Sequence, residues 1–242
     1  MTLVRTLMAL LLLCGLSFGQ EEEAKKDDLP EVKQACEALD KAYKDKDDDA
    51  AKSGMRALVD RMPNAGPKDQ KKMLGAFARA YDQRRDDKGL YVGATVALGA
   101  CGAPAAATLQ AAFAHKAFKK DPEMLRLIAV EIGRTLDEKS VSFLVDLLDF
   151  KFFEVTAGAA EGMSFFHSAP LKTRKLLVGP LVKALESASN DALDLQNVLA
   201  KERYGIIGSP IIDALQKLSG QNLRQPLEWT KWWNDNKKAT DW

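Results

Sequence analysis

The chain has 242 residues, 46% of them apolar and 7% aromatic, with 35 basic side chains against 34 acidic. That is enough apolar material to bury a core, either as one ordinary domain or as a stack of small repeated units, and it excludes a chain disordered throughout. A near-neutral balance lacks the clustered basic surplus that phosphate binding needs, so nucleic acid is excluded as a partner, and runs such as "HKAFKK" (115–120) and "KTRK" (172–175) read as solvated helix ends.

The N-terminus reads as an export signal over residues 1–19. Arg5 supplies the positive region, "LMALLLLCGL" is an apolar core too short to span a bilayer comfortably, and Ser17 and Gly19 put small residues at the positions a signal peptidase favours. Cleavage between Gly19 and Gln20 leaves 34 basic against 34 acidic residues and no membrane span, placing the mature chain in the periplasm or outside the cell. A second reading makes Cys14 the lipidated residue of a lipoprotein, although Leu13 stands before it where a small residue is expected. Cys36 and Cys101 remain after cleavage. An oxidising compartment allows a disulfide between them, whereas their alanine-rich helical surroundings suit two buried free thiols.

Alanine and leucine dominate the apolar set, which favours helix throughout. Residues 20–29, almost all charged, read as a disordered tether ending where Pro30 opens a helix. "PEVKQACEALDKAYK" sets Val32, Cys36, Leu39 and Tyr43 on one side, the first half of an N-terminal helix pair over 30–64. Within that pair, Asp45, Asp47 and Asp49 imitate the start of a calcium loop. Ala50 stands where the loop needs glycine and Arg56 where it needs glutamate, so the stretch reads as a turn and helix start. In "PKDQKKMLGAFARAYDQ", Pro67 starts a helix carrying Leu74, Phe77, Ala78 and Tyr81 on one face.

Residues 65–220 carry an internal repeat. "GAPAAATLQAAF" and "GSPIIDALQKLSG" share Gly102 and Gly208, Pro104 and Pro210, Leu109 and Leu215, and Gln110 and Gln216. Between them "DEKSVSFLVDLL" places Leu144 in the same slot behind an Asp137 cap, and "VGPLVKALES" places Leu185 five residues after Pro180. The period, in the thirties to low forties, is what two helices and two turns occupy. Each half-unit before an aligned position is an apolar helix with glycine near its end, so Pro104, Pro180 and Pro210 are each expected near the start of a second helix. In "MLRLIAVEIGRTLD", Leu125, Ile128 and Ile132 share one face, and the helix after it buries Val141, Leu144 and Leu148.

All four tryptophans lie in the last 14 residues. Pro226 can start a helix on which Trp229, Trp232 and Trp233 form one stripe, so residues 221–242 read as a capping helix and tail covering the last exposed apolar face. The competing reading is a tryptophan-lined groove for a carbohydrate or envelope polymer. No catalytic constellation accompanies it. His115 and His167 are far apart and lack metal-ligand spacing, Ser164 near His167 lacks the second glycine of a nucleophile elbow, and no cofactor motif occurs.

The helix pairs, the "VALGACG" ending, the Gly-x-Pro openings and the closing "LSGQNLRQPLEWTKWW" together resemble HEAT-type α-solenoid proteins exported by bacteria, over residues 65–237. The resemblance implies an all-α fold, a right-handed α-solenoid of about five antiparallel helix pairs. It also implies a non-catalytic scaffold whose partner is another protein. A lyase-like enzyme subunit built on related repeats is the other class it leaves open.

Overall fold

A computed structural model describes residues 26–242; the leader, its Gly19–Gln20 junction and the first part of the tether lie outside the described residues. Among the described residues the chain is all-helical, with no strand and one isolated bridge between Lys26 and Ala65. Eleven α-helices follow one another: α1 (Pro30–Asp45), α2 (Asp48–Val59), α3 (Pro67–Ala78), α4 (Gly89–Ala100), α5 (Ala106–Phe113), α6 (Pro122–Arg134), α7 (Val141–Asp146), α8 (Phe153–Met163), α9 (Leu171–Asp191), α10 (Val198–Ser219) and α11 (Pro226–Asn236). Proline sits in the first turn of α1, α3, α6 and α11, where its missing N–H costs nothing. Asp47, Asp121 and Asn197 cap α2, α6 and α10 by accepting a bond from a free backbone N–H of the first turn.

Packing follows the order of the chain. α1 meets α2, α3 meets α4, α5 meets α6, α7 meets α8 and α9 meets α10. The even-numbered helices also touch in succession, α2 to α4 to α6 to α8 to α10. The odd-numbered ones do so from α1 to α5 and again from α7 through α9 to α11. One apolar core runs between the two rows, and the stripes expected from sequence supply it: Val32, Leu39 and Tyr43 from α1, Leu74 and Phe77 from α3, Leu125, Ile128 and Ile132 from α6.

The aligned leucines Leu109, Leu144, Leu185 and Leu215 are all buried, but the prolines aligned with them differ in role. Gly102 adopts φ +72°, open to glycine alone at little cost, and Pro104 lies in the 3₁₀ turn that leads into α5, as expected. Pro180 and Pro210 instead lie inside α9 and α10, and the expectation that they open new helices is corrected. An internal proline forfeits one backbone bond and strains its turn, about 3 kcal/mol. α9 buries Leu177, Val178, Leu181, Val182 and Leu185 and α10 buries Ile207, Ile211, Leu215 and Leu218, so burial on both sides of each proline outweighs that cost. Gly208, expected in a turn, is a mid-helix residue packed on the ring of Tyr204.

The last residues of the expected tether are ordered against the fold. Residues 26–29 are bound to the start of α3: Gly66 N donates to Lys26 O at 2.8 Å, Lys68 N donates to the Asp27 carboxylate at 2.8 Å, and Leu29 N donates to Asp69 Oδ2 at 2.8 Å. Burial alone would raise the Asp69 carboxyl, but the bonds from Leu29 N and Lys72 outweigh it and hold it below the ordinary carboxylate range. A run of charges reads as solvated tether by composition, and here it serves as a helix cap.

Candidate functional site

An apolar groove of about 590 Å³ lies between α2 and α4. α2 contributes Lys52, Met55, Arg56, Val59 and Asp60; α4 contributes Gly89, Val92, Gly93, Val96, Ala97 and Ala100. α4 carries no charged residue along its length. A helix apolar on every side belongs inside a protein, yet the outer stripe of α4 faces water, with Val92 39% and Val96 45% exposed. Gly93 lets the Lys52 stem lie across α4, and the Lys52 ammonium, paired with Asp49 at 2.7 Å, stands at the rim. No proton-transfer pair converges there. The groove is shaped to take apolar side chains, with Arg56 and Asp60 at its edge beside the Lys52–Asp49 pair.

A second apolar feature is the connection between α9 and α10 together with the first turn of α10, where Leu193, Leu195, Val198 and Leu199 are 75, 78, 74 and 62% exposed. Sequence reading missed both surfaces although their signals were present. The uncharged stretch "GLYVGATVALGA" reads as half a repeat, and the aliphatics of "LDLQNVL" have no helical period to bury them.

The tryptophan stripe is largely engaged with its own surroundings. α11 packs on α9, where Trp229 is fully buried and Trp233 lies against Gly179. Trp242, unassigned by sequence, joins the cluster edge to face, with ring centroids 5.2 Å from Trp232 and 6.4 Å from Trp233. Arg174 holds the end of the chain, stacking over the Trp242 ring at 5.1 Å and donating to Trp242 O at 2.7 Å. A buried tryptophan removes on the order of 200 Å² from water, several kcal/mol at ~25 cal/mol per Å². The covering is one-sided. α11 lies on the odd-numbered row, and the flank of α10 at Tyr204, Gly205, Gly208 and Ile212 stays open as a shallow depression of about 480 Å³.

The residues weighed for catalysis are locally satisfied. The Ser164 hydroxyl donates to Glu161 O at 2.7 Å, His167 Nδ1 lies 3.3 Å from Ser164 O, and His115 accepts from Ala117 N while facing Asp82 at 3.6 Å. Asp45 and Asp49 pair with Lys41 and Lys52, and Asp47 caps α2. Among the described residues no group of three or more His, Cys, Asp or Glu side chains could hold a metal ion. Both described cysteines are free; burial pushes the Cys101 thiol up to about 12 and raises that of Cys36. No described helix is long and apolar enough to cross a membrane. Comparison with protein-family models, curated proteins and solved structures finds no match.

Proposed function

We propose that this chain is a non-catalytic interaction module, a right-handed HEAT-type α-solenoid exported to the cell envelope, that docks another protein. The observation that carries the reading is the α2/α4 groove, where a charge-free helix leaves two valines facing water. The export assignment is supported by the composition of residues 1–19. Support for a solenoid comes from the succession of packed pairs. Neighbours touch along the whole even-numbered row, whereas α5 and α7 scarcely meet, so the array would curve with the even-numbered helices inside. The groove would then open on the concave face. A carbohydrate role for the tryptophans gains nothing from rings packed edge to face on one another.

The test is affinity capture of the chain from Gln20 onward against the envelope fraction of its source cells, beside the Val92→Asp/Val96→Asp variant. The reading predicts a protein captured stoichiometrically by the wild type and lost at least tenfold by the variant with its helical content unchanged. Equal capture by both would remove the groove from the function.

A further inference from the structure

The two exposed apolar features lie on opposite ends of the same row of helices. The groove belongs to α2 and α4, its first two members, and the 192–199 connection leads into α10, its last. α6 and α8 stand between α4 and α10. At 8–10 Å for each packed helix, the connection is about 25–30 Å from the groove of its own chain and does not fill it. Four exposed aliphatic side chains therefore lack a cover among the described residues, as does the stripe on α4.

Charge distinguishes the candidate covers. Arg56 on the groove rim has no carboxylate within ion-pair distance among the described residues. Asp194 at the loop tip has no cation there either; its Oδ1 accepts from Gln196 N at 2.9 Å. Lys52 is paired with Asp49 and Asp191 with Arg203, and Lys201 donates to Leu195 O, which leaves Arg56, beside Asp60 on the rim, and Asp194 on the loop as unpaired charges of opposite sign among the described residues.

We propose that the 192–199 loop of one copy of this chain docks in the α2/α4 groove of a second copy, with Leu195 and Leu199 against Val92 and Val96 and Asp194 facing Arg56. The proposal rests on the groove being a protein-docking surface and names its occupant. Because the two patches differ and sit at opposite ends, the contact is head-to-tail. It extends into a chain of copies or closes into a ring. A single loop in a groove is a small interface, so association belongs in the range of about 10–500 µM.

Sedimentation equilibrium of the chain from Gln20 onward, over that range, tests it. The wild type should gain mass with concentration, and Val96→Asp and Leu195→Asp should each weaken association at least tenfold. An equimolar mixture of the two variants should recover a 1:1 dimer and stop there, because each supplies the one surface the other has lost. Arg56→Asp combined with Asp194→Arg should self-associate more strongly than either single change. Circular dichroism of every variant guards against loss of fold. A wild type that stays monomeric, association indifferent to both substitutions, or a mixture that stays monomeric would overturn the proposal. So would co-sedimentation of a monomeric wild type with phosphatidylglycerol vesicles through Leu195, which would give the loop to a lipid surface. A monomeric wild type beside a Val96→Asp variant that still loses its captured partner would sink only the self-docking. Indifference to Val96→Asp in both experiments would sink the docking groove as well.

Discussion

The contact between α6 and α8 and the contact between α2 and α4 belong to the same row of helices and have opposite outcomes. α6 and α8 close to backbone distance: a Cβ on Gly162 would lie 2.7 Å from Ala129 O, one on Gly158 would lie 2.7 Å from Arg126 O, and Gly133 abuts the Gly162 carbonyl. Arg126 and Glu161 pair across the crossing. Between α2 and α4 the glycines do not bring the backbones together. Gly54 faces Leu39 of α1, and Gly93 receives the stem of Lys52. The difference teaches that glycine content alone does not close a pair of helices. The glycines must face each other, and where they do not, a groove is left and its apolar lining faces water.

Substitutions at the closed crossing should have the largest effect. Gly162→Val, which forces a branched side chain into Ala129 O, is expected to prevent folding or cost well over 3 kcal/mol, and Gly162→Ala about 1–3 kcal/mol, read from urea unfolding midpoints. A Gly162→Ala protein as stable as wild type would break the comparison. Next is Gly99→Ala, where a methyl would collide with the buried Glu131 carboxylate between α4 and α6; a loss of about 1–3 kcal/mol is expected, smaller in a Glu131→Ala background.

Glu131 also sharpens the comparison through pH. Burial raises its carboxyl above the ordinary range, against the opposing pull of Arg134, so the folded state holds that proton more tightly than the unfolded one. Its contribution to stability therefore grows as pH falls from the raised value toward the unfolded value near about 4.3, and is complete below it. Other carboxyls, Asp69 among them, shift the opposite way, so the informative quantity is the stability of Glu131→Gln minus that of wild type at each pH. That difference should favour the variant more at pH 7 than at pH 4. In the open region the signs reverse or vanish. Gly54→Ala, whose new methyl would meet Leu39 Cδ1 at an ordinary 3.7 Å, should stabilise by about 0.5–1 kcal/mol through helix propensity. Val96→Asp should cost no more than about 1 kcal/mol, since nearly half of Val96 is already in water.

Periodicity made the helices and their buried faces legible, and Leu125, Ile128, Ile132, Val141, Leu144 and Leu148 are buried as their spacing required. Local signals failed where distant contacts decide. A proline reads as a helix start in sequence whether it stands at Pro104, in the turn leading into α5, or at Pro210, inside a helix whose packed faces outweigh it. Asp27 reads as part of a charged tether until α3 presents its free N–H groups. The tryptophan stripe was legible as a helix face, but the engagement of Trp242 through Arg174 spans 68 residues of chain and leaves no local trace. Of the candidate site, the composition of α4 was plainly readable; that its outer stripe stays uncovered depends on where the neighbouring helices lie.

The most direct test of the account is thiol labelling of Val96→Cys, with and without the bound partner. In the chain from Gln20 onward the only other thiols are Cys101, buried, and Cys36, half-buried, and the raised pKa of each slows its reaction and keeps the background low. The account predicts fast maleimide labelling at position 96 in the free protein and strong protection in the complex. Labelling as slow as that of Cys101 would mean that the groove is closed, and labelling unchanged in the complex would mean that the partner binds elsewhere; either result contradicts the account.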